Sequence, residues 1–102
     1  MTHAENLLVV AMEECAELQQ AISKALRFGM DSCHPDKPDY SNERAIWTEY
    51  TQLAEVMRLL EKRGVLKGLP LSEVYLIRGE KIANLEKHEA ISKSLGRIRE
   101  DE

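Results

Sequence analysis

A chain of 102 residues, 43% hydrophobic and 31% charged, has the composition of a folded soluble domain and the length of one domain rather than two. Its formal net charge of −4 excludes nucleic-acid binding driven by bulk charge. The longest apolar run near the start, Leu7 to Met12, is too short to span a bilayer, and no signal sequence is visible. Two cysteines, Cys15 and Cys33, cannot make a disulfide framework; together these features point to a cytoplasmic protein with free thiols and no membrane attachment.

Thr2 and Glu5 have the spacing of a capping box and predict a first helix starting there. Leu7, Val10, Ala11, Leu18, Ala21, Ile22, Ala25 and Leu26 then recur at helical spacing, and Gly29 offers a left-handed stop. Residues 29–41 hold two prolines, one glycine and several polar turn-formers, which predicts a loop. A loop this long in so small a domain is functional or mobile. Its Cys33-His34 pair lacks a second Cys/His pair at zinc-ligand spacing.

Asn42 is read as the cap of a second helix, with Glu43 in its first turn. Ile46, Tyr50, Leu53, Val56, Met57 and Leu60 supply its apolar stripe, and Lys62, Arg63 and Gly64 its end. A linker from Val65 to Leu71 follows. Ser72 is read as the cap of a third helix reaching Ser94 or Leu95, interrupted at Gly79 and stopped at Gly96. The expected organisation is all-α: one helical domain over residues 1–96, a charged tail over 97–102, and no strand. A helical hairpin plus a third helix this small gains a larger core by joining another subunit into a four-helix bundle.

The unusual residues are acids on the apolar faces. At about 100° per residue, Leu7, Val10, Leu18, Ala21 and Ala25 all project within about 40° of Glu14. On the second helix Ala45, Leu53, Val56 and Leu60 project within about 40° of Glu49. Glu17 and Gln52 take matching edge positions about 60° to one side, and Glu13 lies further round. If both stripes face one core, Glu14 and Glu49 meet there. Two carboxylates in such a place lose hydration and repel each other, so protonation, a basic partner or a divalent cation must offset them. A hard cation such as Mg²⁺ suits oxygen ligands and can gather phosphate oxygens.

Glu13-Glu14-Cys15-Ala16-Glu17 resembles the EExxE signature of the MazG-like nucleoside triphosphate pyrophosphohydrolases. The second signature of that family, ExxD, appears here as Glu49-Tyr50-Thr51-Gln52, with glutamine in place of aspartate. The runs Ser23 to Gly29, Cys33 to Pro38 and Glu80 to Lys87 are similar to phage-type members, so the resemblance touches most of the chain. It implies hydrolysis of a nucleoside triphosphate between the α and β phosphates, in a homodimer or homotetramer. Glu14, Glu17, Glu49 and Gln52 would then be the Mg²⁺ ligands, and Glu13 would orient the attacking water. Glutamine can coordinate but carries no charge, which weakens the site; Glu55, one turn on, is a possible substitute.

Lys24 shares the flank of Glu17, and Arg27, His34, Lys37 and Lys81 are further candidates for contacting the triphosphate, although a solvated side chain is the simpler reading of each. Trp47 points away from Glu49 and suits packing against the third helix or a partner, or contact with a base. Cys15 lies beside the stripe as a small hydrophobe. Two other functions fit the same residues: a non-catalytic nucleotide- or protein-binding module, favoured by Gln52, and a structural oligomer whose acids pair with bases.

Overall fold

The computed structural model describes residues 1–99; residues 100–102 of the expected charged tail lie outside the described residues. Three helices account for the regular structure, and there is no strand among the described residues: α1 spans His3–Phe28, α2 Asn42–Lys62 and α3 Leu71–Ser94. The capping box forms as expected. Thr2 Oγ1 accepts the Glu5 N–H at 3.0 Å, and the Glu5 carboxylate accepts the Thr2 N–H at 3.0 Å. Gly29 ends α1 with positive φ, but its ψ of 151° is extended rather than helical, a combination open essentially to glycine alone.

The cap of α2 lies one residue earlier than the sequence suggests. Ser41 Oγ accepts the Arg44 N–H at 3.1 Å, and Asn42 is the first helical residue. The Asn42 side-chain amide instead donates to the Gly29 carbonyl at 2.9 Å and ties the two ends of the loop together. α2 closes in a Schellman motif: Gly64 donates to Glu61 and Val65 to Leu60. α3 closes the same way, with Gly96 donating to Lys93 and Arg97 to Ser92. Ser72 does not cap α3. The helix starts after Pro70, which has no side chain able to cap, and it runs through Gly79 without a break.

The chain forms two compact units, Met1–Lys67 and Gly68–Glu102, divided inside the linker. In the first, α1 and α2 pack as a hairpin along the stripes read from their periodicity. Leu7, Ala21 and Ala25 of α1 and Leu60 of α2 are buried along this seam. Small Ala21 and Ala25 let the helices approach near the loop, while Leu60, 1% exposed, fills the other end. In the second unit α3 has no buried residue, and Tyr75, Leu76, Ile77, Ile82 and Leu85 are exposed. No helix is long and apolar enough to cross a membrane among the described residues.

Candidate metal centre

The hairpin brings Glu14, Glu17 and Glu49 together. Each offers a carboxylate oxygen, and these oxygens lie within 4.8 Å of one another. No other group of three or more His, Cys, Asp or Glu among the described residues has such an arrangement. Glu14 and Glu49 are half-buried, and Glu17 is exposed. One oxygen of Glu14 and one of Glu49 are shielded from solvent and have no hydrogen-bond partner. Neither acid has a basic partner at ion-pair distance among the described residues; Arg58 pairs with Glu55, and the His34 ring lies 3.6 Å from the Asp36 carboxylate.

Electrostatics follow from that geometry. Removal from water raises the Glu14 carboxyl above its ordinary value, and contact with Glu17 and the charge on Glu13 push the same way. Glu49 is raised by burial first, then by its contact with Glu17 and the charges on Glu17 and Glu14. A carboxyl–carboxylate contact becomes a hydrogen bond only if the pair holds a proton. An unpartnered buried oxygen on each of two facing acids therefore needs a proton or a cation. An all-oxygen donor set of three carboxylates suits a hard divalent ion such as Mg²⁺.

The remaining sequence candidates divide. Glu13 is exposed beside the cluster and reaches it through its charge. Gln52 is exposed and borders a shallow groove with Arg44, Trp47, Thr48 and Thr51. Glu55 does not substitute for it: its carboxylate accepts from Arg58 Nε at 2.6 Å, away from the acids. Lys24, His34 and Lys37 do converge, around a cavity of about 600 Å³ at the loop end of the hairpin, where Phe28, Tyr40 and Ala45 also line the wall. Arg27 is not part of that wall; its guanidinium stacks over the Phe28 ring at 5.0 Å. Lys81 is exposed on α3, in the second unit.

Phe28 and Tyr40 were not singled out by sequence, although the two prolines beside Tyr40 carry a usable signal. Pro35 and Pro38 each occupy the second position of a turn, closed by Lys37 donating to His34 and Tyr40 donating to Lys37. The loop is then sutured to itself by Asn42 donating to Ser32 and Glu43 to Met30, and by an isolated bridge between Cys33 and Ser41. Trp47 is 60% exposed and meets Tyr50 edge-on at 6.0 Å, rather than packing into the interior of the hairpin. Cys15 is exposed, not packed. The chain matches no protein-family model, no curated protein and no solved structure.

Proposed function

We propose that the protein is a Mg²⁺-dependent nucleoside triphosphate pyrophosphohydrolase of the MazG-like kind, releasing a nucleoside monophosphate and pyrophosphate. The single observation that carries this reading is the meeting of Glu14, Glu17 and Glu49 with shielded, unpartnered oxygens on two of them. Bound there, Mg²⁺ would neutralise charge on the phosphates and lower the barrier to attack by water. Glu14 and Glu49 project from the two helices that pack along the seam, so the hairpin itself brings their carboxylates together. Glu17, on the exposed rim, completes the set and faces the side from which a triphosphate enters. Glu13 lies beside the set without belonging to it, which leaves its carboxylate available to orient the attacking water. Lys24, from the cavity wall, supplies positive charge to the phosphate chain.

Association with a second copy completes the fold in this reading. The first unit buries only four side chains among the described residues, a small core for its length. Ile22, Tyr50 and Met57 are exposed, and all three project to the same side of the hairpin, opposite Glu17 and Lys24.

The direct test is pyrophosphate release from a panel of ribo- and deoxyribonucleoside triphosphates, with and without Mg²⁺. Release that requires both Mg²⁺ and Glu49 is the expected outcome. Absence of release from every substrate by folded protein sinks the enzyme. Gln52 favours a second reading, a nucleotide-binding module without turnover, because it removes one negative charge from the place the family signature gives to aspartate. Nucleotide-dependent thermal stabilisation without any product marks that alternative.

A further inference from the structure

The cavity at the loop end has a composition that the acids alone do not explain. Its walls combine two lysines, a histidine and two aromatic rings, all within the first unit. Both rings carry a cation: Arg27 lies 5.0 Å over Phe28, and the Lys37 ammonium lies 5.6 Å over Tyr40. Such a surface is both flat and positively polarised, suited to an electron-rich heteroaromatic ring joined to an anion. His34 Nδ1 accepts the Asp36 N–H at 3.1 Å, which assigns the proton of the neutral ring to Nε2. Nε2–H is thus left as a donor for a carbonyl or hydroxyl oxygen. Lys24 has no ion-pair partner among the described residues.

The position relative to the acids is equally specific. Lys24 follows Glu17 by seven residues on the same flank of α1, a rise of about 10.5 Å. Ala45, in the cavity wall, precedes Glu49 by four residues, or about 6 Å along α2. Acids and cavity therefore lie in line along one side of the hairpin, separated by roughly the length of a phosphate chain. The apolar pocket of Leu18, Ile22, Ile46, Trp47 and Tyr50 lies on the opposite side.

Resting on the function proposed above, we infer that the loop cavity is the nucleoside subsite. Base and sugar of the triphosphate sit against Phe28 and Tyr40, His34 Nε2 donates to them, and Lys24 meets the phosphates where they leave the cavity for the acids. The base is read by the proline-braced loop, not by Trp47.

The experiment is calorimetric titration of the intact chain, in Mg²⁺, with α,β-methylene nucleoside triphosphate analogues of the four common bases and with inorganic tripolyphosphate, which has no nucleoside. Phe28→Ala should weaken the tightest analogue about tenfold, the scale of one lost base–aromatic stack, and leave tripolyphosphate unchanged. Phe28 is 60% exposed, so the change opens no core; Lys37→Ala is a second surface variant expected to act in the same selective way. Equal loss for analogue and tripolyphosphate, no loss for either, or loss confined to Trp47→Ala overturns the inference. Failure of tripolyphosphate to bind with Mg²⁺ strikes instead at the metal–triphosphate reading. In that case nucleoside monophosphates without metal decide the cavity: binding weakened by Phe28→Ala supports it as a nucleoside site, and absence of binding overturns it.

Discussion

Glu49 lies where two opposite demands meet. The apolar seam needs a neutral side chain, and the proposed chemistry needs an anion. The raised carboxyls of Glu14 and Glu49 mean that the folded chain holds their protons more tightly than the unfolded chain does. Their favourable contribution is complete below the ordinary carboxyl value of 4.5 and is lost as the pH rises through the raised folded values. Glu49→Gln should therefore stabilise the metal-free protein, with an advantage that grows as the pH rises above the ordinary carboxyl value of 4.5. The same variant should abolish stabilisation by Mg²⁺ and cut turnover about a hundredfold or more, since residues that merely support a ligand already cost roughly 10–100-fold. Thermal melts across pH, with and without Mg²⁺, check both halves. Glu5 moves oppositely: its capping hydrogen bonds lower its carboxyl, so that contribution is lost as the pH falls through the lowered value. The convergence of Glu14 and Glu49 was legible in the sequence because helical periodicity fixes direction around an axis. Gln52 is exposed in a groove with Arg44, Trp47, Thr48 and Thr51, and no angle around one helix could say that Glu55 would be taken by Arg58, since that depends on rotamers.

At the scale of elements, the loop between α1 and α2 matters as much as the helices. It is held by turns at Pro35 and Pro38 and by the Asn42 amide on the Gly29 carbonyl. Gly29 begins it with φ 97° and ψ 151°. A Cβ at this glycine would meet nothing within 4 Å, so the cost of Gly29→Ala is backbone conformation alone. Chemical denaturation should find it destabilised by about 1–3 kcal/mol, with faster amide exchange through residues 30–41; unchanged stability and exchange would show that the loop takes another path. Turn residues announced this loop in the sequence, and the helix ends on either side were placed to within a residue. The error at α2 has a clear origin. Ser41 and Asn42 are both good caps, and the choice depended on Asn42 having a partner thirteen residues away, which local rules do not see. At α3 the sequence favoured Ser72, but proline's fixed φ before Leu71 starts the helix earlier.

At the scale of the molecule, the described residues bury few apolar side chains, Leu7, Ala21, Ala25 and Leu60. α3 exposes consecutive apolar residues, Tyr75, Leu76 and Ile77, which project around much of its circumference and cannot all be covered by one neighbour. The hairpin leaves Ile22, Tyr50 and Met57 in solvent. Light scattering on a sizing column should return a multiple of the 11.7 kDa chain mass, and Ile22→Glu should lower it. A monodisperse 11.7 kDa species at micromolar concentration would remove the four-helix assembly from the account. The all-helical class was readable in advance because three amphipathic or apolar segments were punctuated by glycine and proline. The four-helix assembly rests on the small size of the chain and on the family resemblance, since sequence periodicity marks which residues seek cover without naming what covers them.

The most direct test of the central claim is an anomalous diffraction map from crystals soaked in Mn²⁺, a scattering substitute for Mg²⁺. The account predicts a peak about 2.1 Å from carboxylate oxygens of Glu14, Glu17 and Glu49, lost in Glu49→Gln crystals. A map with no peak there at saturating Mn²⁺, or with these acids paired to a lysine or arginine instead, would contradict it.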